Sequence, residues 1–416
     1  MGSGGARGAY EAGVISFLRD ELEPGLGRRL NLDVLSGTSV GAINACYLAS
    51  TGDCPEVQGR GITERWRTLK IDEVLRVGVT DVTRILAEFM GRAAGALDGH
   101  GGLVDPAGIR KIILEVIRWS NIRRNLDSGA VSALAVSATH VGSGCTVTFV
   151  QRKERSVPPW THDKHFVVER AAIGPRHVLA SAAIPLLFPP VRVGRTLYVD
   201  GGIRLSVPIS PALRLGAERV LVISLRSGGP ESMNHENERV YATAPFLFGK
   251  TLNALMLDRT EQDVDRLRRI NAMLEAGARA FGPRFGEVMN AALRPHRNMP
   301  VRYVRNILVR PSRHIGALAA EYARSAEFKK RAHGLAERAV RYLADREARN
   351  SADLASYLLF DGPFAEQLID MGRADARALG DEWARFFSEE PENAAEAAQL
   401  EALARQSPAH SLAETG

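Results

Sequence analysis

Apolar positions follow two different spacings along the chain. Short runs of consecutive apolar residues, typical of strands buried on both faces, alternate with longer segments in which apolar residues recur every three or four positions, as on one side of a helix. This alternation predicts an α/β fold with a central, mainly parallel sheet. The predicted strands are residues 131–139, 146–151, 191–193, 196–199, 219–225 and 306–310.

The order of these segments predicts three parts. Residues 1–215 hold the first strands and the candidate chemistry, and residues 216–315 add the remaining strands and inserted helices that complete the domain. Residues 316–416 form a helical extension whose acidic, Ala- and Glu-rich end we expect to be partly disordered. Within it, residues 356–361 are apolar enough to pack against the core.

Composition places the chain among ordinary globular proteins, with 45% apolar and 25% charged residues among 416. The net charge of +6 is mild, and without dense basic runs interleaved with aromatics it argues against a nucleic-acid partner. The three cysteines lack the spacing of a metal site or a disulfide framework. We expect a cytoplasmic protein, and an apolar stripe over 86–97, facing either the core or lipid, leaves peripheral membrane contact open.

A G-x-S-x-G pattern is formed by Gly37, Thr38, Ser39, Val40 and Gly41, between an apolar run and a helical segment. Such a strand–turn–helix elbow holds a serine in a strained conformation with its hydroxyl exposed. The positive end of the following helix then faces the site where negative charge develops during acyl transfer. The alternative interpretation is a glycine-bounded helix cap.

A second glycine-rich loop, Gly4, Gly5, Ala6, Arg7 and Gly8, opens the next predicted helix. Backbone N–H groups at a helix start form an anion site, which fits either a nucleotide phosphate or the oxyanion of an esterase. The nucleotide interpretation lacks both a full G-x-G-x-x-G match and the P-loop lysine. A flexible terminal segment is the third alternative.

A third motif, Asp200, Gly201 and Gly202, follows a predicted strand directly. A carboxylate in an enclosed, partly apolar site has a raised pKa and can act as a base, although an aspartate before glycines is also common in turns. A triad that uses a histidine is the mechanistic rival. None of the ten histidines, His140, His177 and His314 included, has a recognisable catalytic context. We expect a structural role for His177 and a surface or capping role for His314.

The three motifs, in this order, resemble those of the patatin-like phospholipase family, over about residues 2–215. The segments 180–185 and 188–191 also resemble the stretch that precedes the family's aspartate. The resemblance implies a three-layer α/β/α fold and a lipid acyl hydrolase that needs no metal or cofactor. It implies a phospholipase A-type or general esterase activity, with a non-catalytic lipid-binding or scaffold protein as the alternative.

The resemblance also implies a role for each motif. Ser39 would attack the ester carbonyl, and Asp200 would accept its proton and later activate water. The backbone N–H groups of Gly4, Gly5 and Ala6 would hold the oxyanion, while Arg7 fixes the loop.

The sequence departs from the family pattern in two ways. The family has an apolar strand immediately before the glycine loop, which this sequence lacks, and we expect that its start is truncated or misassigned. Ser3 stands where the family usually has glycine, a small change that the loop should tolerate.

Overall fold

Eight strands form two sheets in the computed structural model, which describes residues 1–75, 104–154, 165–228, 243–257, 259–294, 300–346 and 352–406. Most strands are short and buried, as their apolar sequences predict. Their bounds are β1 (Val34–Thr38), β2 (Ala133–His140), β3 (Thr146–Arg152), β4 (Phe166–Arg170), β5 (Val191–Val193), β6 (Thr196–Asp200), β7 (Arg219–Ile223) and β8 (Arg305–Val309).

The larger sheet has the order β4-β3-β2-β6-β5, and β1 also pairs with β2. The β1/β2, β3/β4 and β7/β8 pairs are parallel, whereas β2 runs antiparallel to β3 and β6, and β5 runs antiparallel to β6. Asp200 at the end of β6 is the partner of Ala138 on β2. Both β1 and β6 therefore pair directly with β2. The Ser39 turn follows β1, and Asp200 is the last residue of β6.

Helices occupy most of the remaining described chain, in agreement with the predicted α/β class and helical C-terminal region. A five-residue π turn, Leu18–Leu22, continues the first of them. The helices are α1 (Gly8–Phe17), α2 (Glu23–Leu26), α3 (Val40–Ser50), α4 (Gln58–Arg67), α5 (Ile71–Val74), α6 (Ala107–Val116), α7 (Trp119–Ser128), α8 (Pro175–Ser181), α9 (Ile209–Arg214), α10 (Ala244–Met256), α11 (Arg259–Phe281), α12 (Phe285–Leu293), α13 (Ile315–Arg324), α14 (Ala326–Arg331), α15 (Leu335–Arg346), α16 (Asp353–Leu358), α17 (Gly362–Ala378), α18 (Asp381–Phe387) and α19 (Ala394–Gln406).

The C-terminal helices pack directly on the N-terminal ones. Helix α17 crosses α1 closely, because Gly13 faces the backbone of Ile369 and Gly372 faces that of Tyr10, with no room for a side chain at either glycine. One hydrophobic core extends from buried side chains near the N-terminus to those of α18. The predicted packing of residues 356–361 against this core is confirmed, since all of them are buried.

The predicted strands are found within about two residues of their expected ends. The hairpin around Gly194 is confirmed, and that glycine has a φ of 58°. The apolar stripe over 86–97 and the last ten residues of the predicted disordered tail lie outside the described residues. Among the helices that the structure describes, none is long and apolar enough to cross a bilayer.

Candidate active site

Ser39 occupies a sharp turn between β1 and α3. Its φ of 56° and ψ of −126° lie in a region that L-residues rarely adopt. Ser181 on α8 supports this turn, because its hydroxyl accepts the Ser39 N–H at 2.9 Å and donates to the Ser137 carbonyl at 2.6 Å. The predicted strand–turn–helix elbow is therefore present, and a buried hydroxyl from a distant helix holds it.

The flanking glycines allow the elbow to be this tight. A Cβ atom on Gly37 would collide with the carbonyl oxygen of Gly41 one turn later. The Gly41 N–H donates to the Gly2 carbonyl at 3.1 Å, which ties the start of α3 to the N-terminal segment. Thr38 and Val40 are buried on either side of the serine.

Asp200 is fully buried at the end of β6. Its Oδ1 accepts the Gly202 N–H at 2.7 Å, and its backbone carbonyl accepts the Thr139 hydroxyl at 3.0 Å. Its Oδ2 is also buried and has no hydrogen bond of standard length and angle among the described residues. One oxygen of the carboxyl is thus fixed, and the other is free to take a proton.

Burial raises the pKa of Asp200 to about 7. Two interactions oppose the rise, one with the Ser39 hydroxyl and one with the Gly202 N–H. The interaction with Ser39 brings the predicted nucleophile and the predicted base together. A carboxyl with this pKa can both accept and return a proton near neutral pH.

The glycine loop lies against the elbow. Gly5, Ala6 and Arg7 form a 3₁₀ turn that continues into α1, so the first N–H groups of this helical segment have no partner within it. The Gly8 carbonyl accepts the Asn44 side-chain amide at 3.3 Å, which joins the loop to α3. The structure thus places N–H donors and the positive end of α1 beside the Ser39 turn.

Helix α16 holds the shape of this loop. Gly5 has a φ of 57° and faces the Tyr357 carbonyl so closely that a Cβ atom would collide with it. The guanidinium of Arg7 is buried, donates to the Ser356 hydroxyl at 2.8 Å and lies 4.2 Å from the centre of the Tyr357 ring. It also contacts the Asp353 carboxylate at 3.2 Å.

The Asp353 carboxylate is the centre of a buried cluster of charges. Besides Arg7, two further side chains contact this carboxylate. Lys250 Nζ lies 3.0 Å from it, and Nε2 of the His314 ring lies 3.8 Å from it. Burial alone would raise the pKa of Asp353, but the charges of Arg7 and Lys250, together with the His314 ring, hold it well below its usual range. Asp353 therefore keeps its charge at neutral pH.

An apolar cavity opens beside Ser39 between α3, α4 and α6, and the segment 357–360 closes one side of it. The rings of Trp66 and Phe360 stack at 6.3 Å in its wall. Ile43, Ile62 and Ile109 contribute further apolar surface. The arrangement can hold a long apolar group next to a serine hydroxyl.

Two of the histidines considered as triad members, His177 and His314, have other partners. His177 packs against the Phe149 ring at 4.7 Å, and its Nδ1 accepts the Gly174 N–H. His314 caps α13, where its Nδ1 accepts the Ala317 N–H at 3.2 Å. These are the structural and capping roles that the sequence indicated.

Sequence reasoning assigned no role to Ser181 or α16, although residues 180–185 were part of the family resemblance. Ser181 lies 142 residues from the serine whose N–H it accepts, and Ser356 lies 349 residues from Arg7. A hydroxyl within the helix before Pro185 is the one local signal for Ser181. No local pattern marks Ser356.

The family model described as patatin-like phospholipase matches residues 1–213. This match covers half of the chain and includes all three motifs. The chain therefore belongs to the patatin-like phospholipase family. No curated protein matches the sequence.

Among solved structures, VipD from Legionella pneumophila aligns with a TM-score of 0.32 and 13% sequence identity. The alignment covers 88% of this chain and 65% of the VipD chain, so this chain spans less than two thirds of that protein's length. A likeness of this degree carries no information on activity.

Proposed function

We propose that the chain is a serine esterase that cleaves the carboxylic esters of acyl lipids, with Ser39 as nucleophile and Asp200 as base. One observation carries this proposal. The Ser39 hydroxyl, on a strained elbow, interacts with a fully buried carboxyl whose pKa is about 7 and whose Oδ2 has no hydrogen bond of standard geometry. A strained elbow and a buried carboxyl both destabilise the fold. A strained residue next to a carboxyl with a raised pKa is typical of catalytic sites.

The first half of the reaction forms an acyl-enzyme. The Ser39 oxygen attacks the ester carbonyl carbon while Asp200 takes the hydroxyl proton. The negative charge that develops on the carbonyl oxygen is held by N–H groups of Gly4, Gly5 and Ala6 at the start of α1, and one such donor stabilises the transition state by roughly 3–4 kcal/mol. The alcohol then leaves with the proton from Asp200.

The second half restores the serine. Asp200, ionised again, accepts a proton from a water molecule as that water attacks the acyl carbonyl. The tetrahedral intermediate collapses, and the proton returns to the Ser39 oxygen as the fatty acid leaves. The same carboxyl serves as base and acid in each half, which requires a pKa near the working pH.

The charge cluster on α16 gives the C-terminal region a role in this scheme. Arg7 and Gly5 connect the oxyanion loop to Asp353, Ser356 and Tyr357, so the loop takes its shape from a helix of the C-terminal region. We propose that residues 316–416 complete the catalytic unit together with the N-terminal part. The acyl lipid would reach this unit at a membrane or micelle surface.

The proposal is tested by hydrolysis of p-nitrophenyl butanoate. The parent should turn over, and Ser39→Ala and Asp200→Asn should each lose about 10⁴-fold or more in kcat. Ser36→Ala is the matched control, because this buried serine lies three residues earlier on β1 and its hydroxyl makes no hydrogen bond among the described residues. Phospholipids with one or two acyl chains should follow as substrates.

Activity that survives in Ser39→Ala would contradict the assignment of the nucleophile. Activity that survives in Asp200→Asn would contradict the assignment of the base and reopen the search for a histidine. A folded parent without turnover on any ester would favour a lipid-binding or scaffold function instead.

A further inference from the structure

The apolar cavity beside Ser39 follows one side of helix α3. The residues of this helix that line it are Ser39, Val40, Ile43, Asn44 and Tyr47, which recur at helical spacing. Eight residues separate Ser39 from Tyr47, and at about 1.5 Å per residue the cavity extends about 12 Å from the nucleophile. Tyr47 is the last residue of this helix that lines the cavity.

The one amide in this wall does not offer a polar site. The side-chain nitrogen of Asn44 donates to Glu11 at 2.8 Å and to Gly8 at 3.3 Å, and its oxygen accepts the Trp66 indole N–H at 3.4 Å. Since its hydrogen-bonding groups are used within the protein, Asn44 presents no unsatisfied group to a ligand. The surface along the cavity is accordingly apolar.

The width of the cavity suits a single alkyl chain. The cavity has a volume of about 60 Å³, which over a length of about 12 Å leaves a narrow channel. Carbon atoms in contact are separated by about 4 Å, so one alkyl chain fits this channel and two side by side do not.

The far end of the channel is polar. Arg65 lines the cavity there, close to the Tyr47 ring. Burial raises the pKa of the Tyr47 hydroxyl. Arg65 and Arg118 oppose that rise and Glu64 adds to it, so charged side chains of both signs lie near the hydroxyl. A methyl group pushed past Tyr47 would displace water from charged groups without a compensating hydrogen bond.

We infer that this channel binds one extended acyl chain, with the ester carbonyl at Ser39 and the terminal methyl at Tyr47, and thereby selects medium-chain esters. A C–C bond of about 1.5 Å at an angle near 111° advances about 1.25 Å per methylene, so about 12 Å holds on the order of ten carbons. The inference rests on the proposed function, since it assigns the chain-length preference of that same site.

The test is a series of p-nitrophenyl esters from butanoate to hexadecanoate, assayed below their micelle concentrations. In the parent, kcat/KM should rise up to about fourfold per methylene, the factor given by the transfer of one methylene from water. The rise should stop near ten carbons. A profile that keeps rising to hexadecanoate would overturn the inference.

Two variants on α3 should shift the profile in opposite directions. Ile43→Trp fills the channel about 6 Å from the nucleophile, so the optimum should fall to about five carbons and decanoate should lose at least about 100-fold in kcat/KM. Tyr47→Ala opens the far end, and the optimum should move to longer chains. Val57→Trp, at an exposed position outside the channel, is the matched control and should keep the parent profile.

The outcomes separate this inference from the proposed function. Active Ile43→Trp and Tyr47→Ala variants that both keep the parent's chain-length profile would overturn the channel assignment alone. A folded parent that hydrolyses no ester of any length would overturn the proposed function and this inference with it. If one variant fails to fold, the shift in the other still decides the matter.

Discussion

Asp200 destabilises the fold that contains it, by an amount that depends on pH. Its pKa is about 7 in the folded protein, against an ordinary value of 3.8, and this difference corresponds to about 4 kcal/mol. Between these two values the folded state holds a proton that the unfolded chain has released, so the free energy of unfolding falls as the pH rises. Above pH 7 the full cost is present.

Replacing Asp200 with asparagine removes this cost and keeps the shape of the side chain. The amide oxygen can still accept the Gly202 N–H that now lies 2.7 Å from Oδ1. We expect Asp200→Asn and the parent to have similar free energies of unfolding near pH 4. At pH 8 the variant should be more stable by up to about 4 kcal/mol, while its esterase activity is lost. Urea unfolding followed by tryptophan fluorescence from pH 4 to 8 measures the difference.

Asp353→Asn is the matched control with the opposite sign. Asp353 is equally buried, but its positive partners lower its pKa below the ordinary value, so its ionised form stabilises the fold. This contribution is present above pH 3.8 and is lost only as the pH falls through the folded-state pKa. The variant should therefore be less stable than the parent at pH 8, by about 3–5 kcal/mol. An Asp200→Asn variant that is no more stable at pH 8, or whose gain is the same at pH 4, would refute the reasoning.

Three further predictions concern activity. The kcat/KM for a neutral ester should rise with pH through a single ionisation near 7, because Asp200 acts as base only when ionised. Gly5→Ala should lower kcat about 100-fold and destabilise the fold by about 2 kcal/mol, since its φ of 57° and the nearby Tyr357 carbonyl exclude a side chain. Ser181→Ala should lower the free energy of unfolding by about 1–3 kcal/mol and reduce kcat about tenfold, because the Ser39 N–H loses its partner. Steady-state kinetics and urea unfolding measure these effects.

Each of these predictions has its own contradicting result. A rate that is flat from pH 5 to 9 would exclude a base with a pKa near 7. A fully active Gly5→Ala variant would show that the loop does not hold the oxyanion. An unchanged kcat in Ser181→Ala would show that the elbow keeps its geometry without that hydroxyl.

The elbow and the aspartate could be predicted because their signals are local. A strand, a glycine-bounded serine and a helix follow one another within about a dozen residues, and Asp200 comes directly after an apolar strand. Local backbone preferences are enough to specify such turns. The sheet pairing that brings the two together was expected only in outline, because which strands become neighbours depends on packing over the whole domain.

The contribution of α16 could not be predicted from the sequence. Its contacts with the glycine loop join residues about 350 positions apart, and none of Asp353, Ser356 or Tyr357 belongs to a recognisable motif. The apolar character of this segment predicted burial correctly, but burial does not specify a partner. The resemblance implied that Arg7 fixes the loop, but only the structure shows that Arg7 is buried and that its carboxylate partner is Asp353.

The most direct test of the central claim is covalent labelling with an alkyl fluorophosphonate, followed by peptide mapping by mass spectrometry. This reagent reacts with an activated serine and not with ordinary hydroxyl groups. The proposed mechanism predicts one adduct, on Ser39, that is absent in Ser39→Ala, slowed in Asp200→Asn and unchanged in Ser36→Ala. An adduct on another serine, or a folded protein that the reagent does not label, would contradict it.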